Sequence, residues 1–185
     1  MPDCSVKMGC DYCDIVDRNS RAQILYEDDT ALVVVKDLVL IPGQITILPR
    51  QHFTILELVP DEIVQKCSVL ASKVSQAVFD SLEPHGTNIL VQNGLGGGQK
   101  VPHFAIEIIP RREGDGLNLQ WPPKEVPEEE LEIVAQQLEP EAKKLGDLTV
   151  EPKKEEPQQK KKEEPKSEVK EQKENYLTKS LRRIP

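Results

Sequence analysis

The sequence predicts an α+β domain: a five-stranded antiparallel sheet wound as a meander, one long helix, a short N-terminal segment and a disordered C-terminal tail. Three observations carry this reading. Short apolar or β-branched runs recur between turn residues. One stretch instead repeats its apolar residues every three and four positions, the period of a helix buried along one face. After about Pro123, Gly and β-branched residues give way to Glu, Lys, Gln and Pro, which marks a domain boundary.

Gln23-Ile24-Leu25-Tyr26, Ala31-Leu32-Val33-Val34-Val35 and Gln44-Ile45-Thr46-Ile47-Leu48 are separated by Glu27-Asp28-Asp29 and Pro42-Gly43. They read as three antiparallel strands. From Pro60, which suits a first helical turn, Ile63, Val64, Cys67, Leu70, Ala71, Val74, Ala77, Val78 and Leu82 form one stripe, and Pro84-His85-Gly86 stops it. Thr87-Asn88-Ile89-Leu90-Val91 and residues 101–109 supply the last two strands, across the glycine-rich Asn93-Gly94-Leu95-Gly96-Gly97-Gly98. That loop suits a phosphate cradle and a plain hairpin turn equally well. Residues 1–123 are therefore read as one domain, large enough for its own core.

Residues 124–150 form a helical extension. Pro127-Glu128-Glu129-Glu130 places acids at the helix start, where the dipole favours them, ahead of a narrow stripe of Leu131, Val134, Ala135 and Leu138. Residues 151–174 mix Glu, Lys and Pro with almost nothing apolar and cannot bury enough surface to offset their ordering entropy. Residues 175–185 regain Tyr176, Leu177, Leu181 and Ile184 beside Lys179, Arg182 and Arg183, a composition suited to docking on an unidentified protein partner.

The formal net charge of -8 argues against a broad nucleic-acid surface, which needs clustered Lys and Arg. No apolar stretch approaches the roughly 20 residues that cross a bilayer, and residues 1–16 lack the plan of a secretory signal, so a cytoplasmic protein is expected. In that reducing setting Cys10-Asp11-Tyr12-Cys13 reads as metal-binding or redox-active, Cys67 as core, and Cys4 has no evident partner. Redox chemistry at the Cys pair lacks the expected βαβ surroundings.

The stretch Gly98-Gln99-Lys100-Val101-Pro102-His103-Phe104-Ala105-Ile106-Glu107-Ile108-Ile109-Pro110-Arg111 resembles the signature strand of the histidine-triad family. Cys10-x-x-Cys13, Tyr26-Glu27-Asp28, Pro42-Gly43, Pro49-Arg50-Gln51-His52, Glu83-Pro84-x-Gly86-x-Asn88 and Asn93-Gly94 follow the order and spacing of its zinc-containing branch. The resemblance covers roughly residues 8 to 138. It implies a structural zinc, one per chain, on Cys10, Cys13, His52 and His103, with all four positions filled by protein and none open to substrate. It implies contacts to a purine nucleotide from Asn93, Gly98, Gln99 and Lys100, and from Asp37 in place of a ribose-gripping carboxylate. It also implies a homodimer, because Trp121-Pro122-Pro123 looks like the post-triad segment that in relatives reaches toward the partner subunit.

The triad itself is degenerate. On a strand His103, Ala105 and Glu107 share a face while Phe104, Ile106 and Ile108 face the core. In the family the middle histidine attacks the α-phosphorus of a nucleotide conjugate; Ala105 stands there with no lone pair to offer. Glu107 replaces the third histidine, and an anion facing a phosphate at about 4 Å would be repelled by roughly 4 kcal/mol. Lys36 falls where relatives carry the ribose carboxylate, with Asp37 on the other face, Gln44 where many have histidine, and Lys100 where a phosphate-contacting hydroxyl lies. Losing a nucleophile alone can cost about a millionfold in rate. The expectation is a catalytically impaired, zinc-stabilised domain acting as a nucleotide sensor or adaptor. The alternative is a nucleotide hydrolase or transferase that uses Glu107 to activate water.

Overall fold

The computed structural model describes residues 9–144, which form two compact units, 9–116 and 117–144. In the first, helix α1 (Asp11–Val16) precedes strands β1 (Gln23–Glu27), β2 (Ala31–Val35) and β3 (Ile45–Pro49), helix α2 (Asp61–Leu82), and strands β4 (Gly86–Leu90) and β5 (Ile106–Arg111). The sheet runs in the order β1-β2-β3-β5-β4, antiparallel throughout. The expected meander is therefore interrupted once: β5 inserts between β3 and β4, with α2 as the connection from β3 to the β4 edge.

Alternation divides the side chains between two layers. Ala31, Val33, Ile45, Ile47, Ile106 and Ile108 face α2, whose Cys67, Ala71 and Val78 complete the larger core. Leu32, Val34 and Leu48 face the opposite way and are covered by Ile15 of α1. With both faces covered, β2 is buried along four of its five residues and β3 along all five, giving continuous apolar runs rather than half-polar strands. Cys67 is core, as its place in the stripe predicts, and burial pushes its thiol up to about 11.

Two turns fix the frame. Asp28 accepts from the Thr30 and Ala31 amides at 2.7 and 3.0 Å and pairs with Lys66 at 2.9 Å; burial opposes its charge, yet these partners hold its carboxyl well below the usual range. Gly43 sits at φ +89°, and a Cβ there would lie 2.6 Å from Leu82 Cδ1, so the turn beside the end of α2 requires glycine. Helix α2 ends at Glu83 in the left-handed region, φ 46°, immediately before Pro84.

The strand expected over 101–109 starts only at Ile106. The backbone before it is diverted: the His103 amide turns back to the Val101 carbonyl at 2.8 Å and the Phe104 amide donates to Phe53 at 2.6 Å, so 101–105 pair outside the ladder. In the second unit α3 (Glu128–Ala142) opens with three glutamates as expected, and its Leu131, Val134 and Leu138 are exposed. The linker over 151–174 and the docking segment over 175–185 lie outside the described residues.

Candidate metal centre and the polar cluster beside it

Helix α1 is short because its first turn is spent on side-chain placement. A Cys-x-x-Cys spacing across the start of the helix brings both sulfurs to one side, facing the end of β3 and the diverted segment before β5. Cys10 Sγ and Cys13 Sγ each lie 3.6 Å from His103 Nδ1, and Cys13 Sγ lies 3.2 Å from His52 Nδ1. One ligand atom from each of the four falls within 4.8 Å of the others. A tetrahedral zinc with sulfur at about 2.3 Å and nitrogen at about 2.0–2.1 Å separates those atoms by about 3.5 Å, so the four groups fit such an ion.

The surroundings suit a metal as well. His103 is 1% exposed and its Nε2 lies 3.1 Å from the Pro49 carbonyl. That carbonyl accepts a hydrogen bond from Nε2–H, which keeps the proton on Nε2 and leaves the Nδ1 lone pair toward the sulfurs, the outer-shell arrangement that orients a histidine ligand. Burial first, with His52 nearby, lowers the His103 pKa to about 4, so the ring is neutral and able to donate a lone pair at physiological pH. Cys10 and Cys13 are both buried. These residues could hold a metal ion, as the sequence expects of them.

Beside this cluster, on the same face of the sheet, lies Glu107. Its backbone pairs with Thr46 across β3 and β5, which places the two side chains next to each other. Oε2 accepts from Thr46 Oγ1 at 2.7 Å and Gln44 Nε2 at 2.8 Å; Oε1 accepts from Lys36 Nζ at 2.8 Å and Tyr12 Oη at 3.1 Å. Lys36 Nζ also reaches Tyr12 Oη at 2.9 Å and stands 4.9 Å from its ring. Burial pulls the Lys36 pKa down, but the Glu107 charge and hydrogen bonds more than offset it and the net shift is upward. Burial, then Glu107, raises that of Tyr12. Ala105, two residues before Glu107, packs against the cluster of Ile15, Leu32, Val34 and Leu48, as Tyr12 does.

The HIT domain family's sequence model matches residues 17–114, more than half of the chain. The chain belongs to the HIT family. It is 34% identical over 108 residues to adenylylsulfatase HINT3 of Arabidopsis thaliana, a match spanning 58% of this chain and 55% of that protein. It is 30% identical over 113 residues to protein hit of Bacillus subtilis, covering 60% and 78%. Among solved structures, a HIT family member from Bacillus subtilis superposes with a TM-score of 0.66 at 27% identity over 71% of this chain and 96% of that one. A zinc-bound histidine triad family protein from Mycobacterium smegmatis does so at 0.56 and 27%, over 72% and 98%.

Within the HIT frame, the structure changes how two departures are read. Lys36 and Glu107 are not separate losses but partners in one ion pair, so Glu107 does not face the cleft as a free anion. Strand β2 ends at Val35, so the alternation that would send Asp37 away from Lys36 does not extend to it, and both line one cleft. Asn93 and Gln99 shape the glycine-rich loop: Asn93 accepts from the Leu56 amide at 2.9 Å and donates to Glu57 at 2.7 Å, while Gln99 bridges Gly94 and Thr54. Gly98, at φ +83°, closes that loop against Gln92, and Lys100 is exposed. His85 Nδ1 accepts from the Glu113 amide at 3.1 Å. Tyr12 and Thr46 were missed as site residues. The available signal was opposite charge at two departures, Lys36 and Glu107, which invites a search for their shared neighbours.

Proposed function

We propose that this is a non-catalytic, zinc-stabilised HIT domain that works as a homodimeric binding adaptor in a reducing compartment such as the cytoplasm. The observation that carries the reading is the closure of the polar cluster. Ala105 offers no nucleophile, and both oxygens of Glu107, the one acidic group on the triad strand's active face, already accept from two donors each. A general base needs a free lone pair within reach of the water it activates, and Glu107 has none to spare. That weighs against the alternative in which Glu107 drives hydrolysis. Between sensor and adaptor, the geometry favours the adaptor: the Lys36 cation, which would attract phosphate, is engaged by Glu107.

Zinc on Cys10, Cys13, His52 and His103 is supported by the sulfur–nitrogen spacing, the Pro49 partner of His103 and the zinc-bound relative from Mycobacterium smegmatis. Such an ion ties α1 to the sheet and takes no part in turnover, because protein fills its four positions. The homodimer is supported by the free edge of β4 and a cavity of about 320 Å³ between it and α2, lined by Ser68, Ser72, Ser75, Ile89 and Val91. A half-exposed Ile89 on a strand whose outer edge has no partner among the described residues is the kind of edge that a second copy covers.

The deciding experiment assays the purified chain on an adenosine phosphoramidate and searches it for a nucleotidyl adduct by mass spectrometry. No turnover above buffer and no adduct are expected, with chemistry absent from the Ala105→His variant too, because Glu107 and Lys36 still fill the neighbouring space. Turnover or an adduct on the unaltered chain overturns the reading.

A further inference from the structure

We infer that the cleft beside Lys36 and Asp37 is a docking groove for this chain's own segment 176–185. The cleft, about 390 Å³, lies between α1 and the loop after β2. Its apolar wall is Ile15, Ala22 and Leu38, and Leu38 is 86% exposed, an apolar side chain with nothing over it among the described residues. Its rim carries Asp11, Asp14 and Asp37, none of which is ion-paired among the described residues. The one cation on the lining, Lys36, is turned inward to Glu107 at 2.8 Å. The groove therefore presents an apolar surface under uncompensated negative charge, which repels nucleotides and selects a ligand that is apolar and cationic together.

Segment 176–185 has that composition: Tyr176, Leu177, Leu181 and Ile184 interleaved with Lys179, Arg182 and Arg183, and no acidic side chain. Three cations meet three carboxylates, and the apolar residues meet Ile15, Ala22 and Leu38. Most of the chain between Lys144 and Tyr176 is Glu, Lys, Gln and Pro. Its roughly 30 residues extend to about 100 Å, so length does not restrict where the segment binds. Tethering also makes the encounter intramolecular, with an effective concentration near the millimolar range, so modest affinity suffices for occupancy.

The test compares amide NMR spectra of the full-length, zinc-loaded chain with those of a K179E/R182E/R183E variant altered only in the tail. Expected are shifts confined to the groove, at Asp14, Ile15, Lys36, Asp37 and Leu38, independent of protein concentration and reduced severalfold between 0.05 and 0.5 M salt by screening on the order of a Debye length. Reversing the rim in the same variant, with Asp14→Lys and Asp37→Lys, should restore the wild-type difference. Groove amides identical in wild type and tail variant overturn the proposal, as do shifts on the α2 face instead. Concentration-dependent shifts would assign the groove to a second copy and also overturn it. Shifts produced by added adenosine monophosphate and untouched by tail reversal would assign it to nucleotide. The phosphoramidate assay is blind to all these outcomes, so the docking proposal and the non-catalytic reading fail separately.

Discussion

Glu107 and Lys36 should be worth far less apart than together. Their side chains are 11% and 16% exposed and 2.8 Å apart. At that separation the gross attraction is about 6 kcal/mol at an effective dielectric of 20 and about 1.5 kcal/mol at that of water. Desolvation consumes much of this, and removing one partner from a buried pair leaves the other charge uncompensated, at about 3–5 kcal/mol. Residual exposure places these two nearer the lower end. Glu107→Gln and Lys36→Met are each expected to cost about 3 kcal/mol, while the double variant costs about 2–3 kcal/mol in all. In the double variant the glutamine oxygen at the Oε2 position still accepts from Thr46, its amide nitrogen at the Oε1 position donates to Tyr12 Oη, and no bare charge remains. The coupling energy from urea unfolding of the four proteins should therefore be about 3 kcal/mol, against the few tenths expected of independent sites. Additive single costs would mean that the carboxylate and ammonium act independently, and the closed cluster would lose its physical basis.

Three other outcomes follow from named groups. The purified chain should carry one zinc; chelation should lower its stability by about 4 kcal/mol if free zinc stands 1,000-fold above Kd, and metal analysis well below one ion per chain would contradict the assignment. Stability should fall as pH rises above about 10. Lys36 has a folded pKa above its ordinary 10.5, so its contribution is complete below that value and is lost as pH rises through the folded one. Tyr12 is raised above 10.0, so alkali ionises it first in the unfolded chain and drains stability in the same window. Tyr12→Phe should flatten the fall measured by urea midpoints from about pH 10 upward, and an unchanged slope would contradict this. Finally, Gly43→Ala should cost about 1–3 kcal/mol in thermal unfolding, because it adds a Cβ at φ +89° and 2.6 Å from Leu82 Cδ1; a neutral result would show that the turn relaxes freely.

Much of this architecture was legible in the residues. Strands β1 to β4 and helix α2 fall within a residue or so of the runs that predicted them, because period 2 and period 3.6 are local signals backed by turn residues at each end. The Cys10 and Cys13 pair was legible from its two-residue gap, and the resemblance to the zinc-containing branch added His52 and His103, which the structure brings to it. The start of β5 was not. Alternation continues from His103 to Glu107 in the side chains, but the ladder is abandoned before Ile106 because the Phe104 amide is claimed by Phe53, a contact no local pattern announces. Tyr12 escaped notice for a related reason: within Cys-x-x-Cys it reads as spacer, and only the packing of α1 across the sheet brings its hydroxyl to Glu107.

Two attachments converge on α1. Cys10 and Cys13 bind it to His52 and His103 at one end of the sheet face, and Tyr12, between them in sequence, binds it to Glu107 and Lys36 a few ångströms along the same face. Six residues with one apolar anchor, Ile15, are far below the length at which a helix persists alone. The helix therefore exists because tertiary partners hold it. On this face Ala105 stands at the middle position of the triad strand, and both it and Tyr12 pack against the cluster of Ile15, Leu32, Val34 and Leu48. The hydrogen-bond network of Tyr12, Lys36, Gln44, Thr46 and Glu107 is stable only while each member keeps its partner. The same contacts therefore hold α1 in place and engage the polar groups of this face, so that a ligand reaching Glu107 or Lys36 would have to displace a partner each already has.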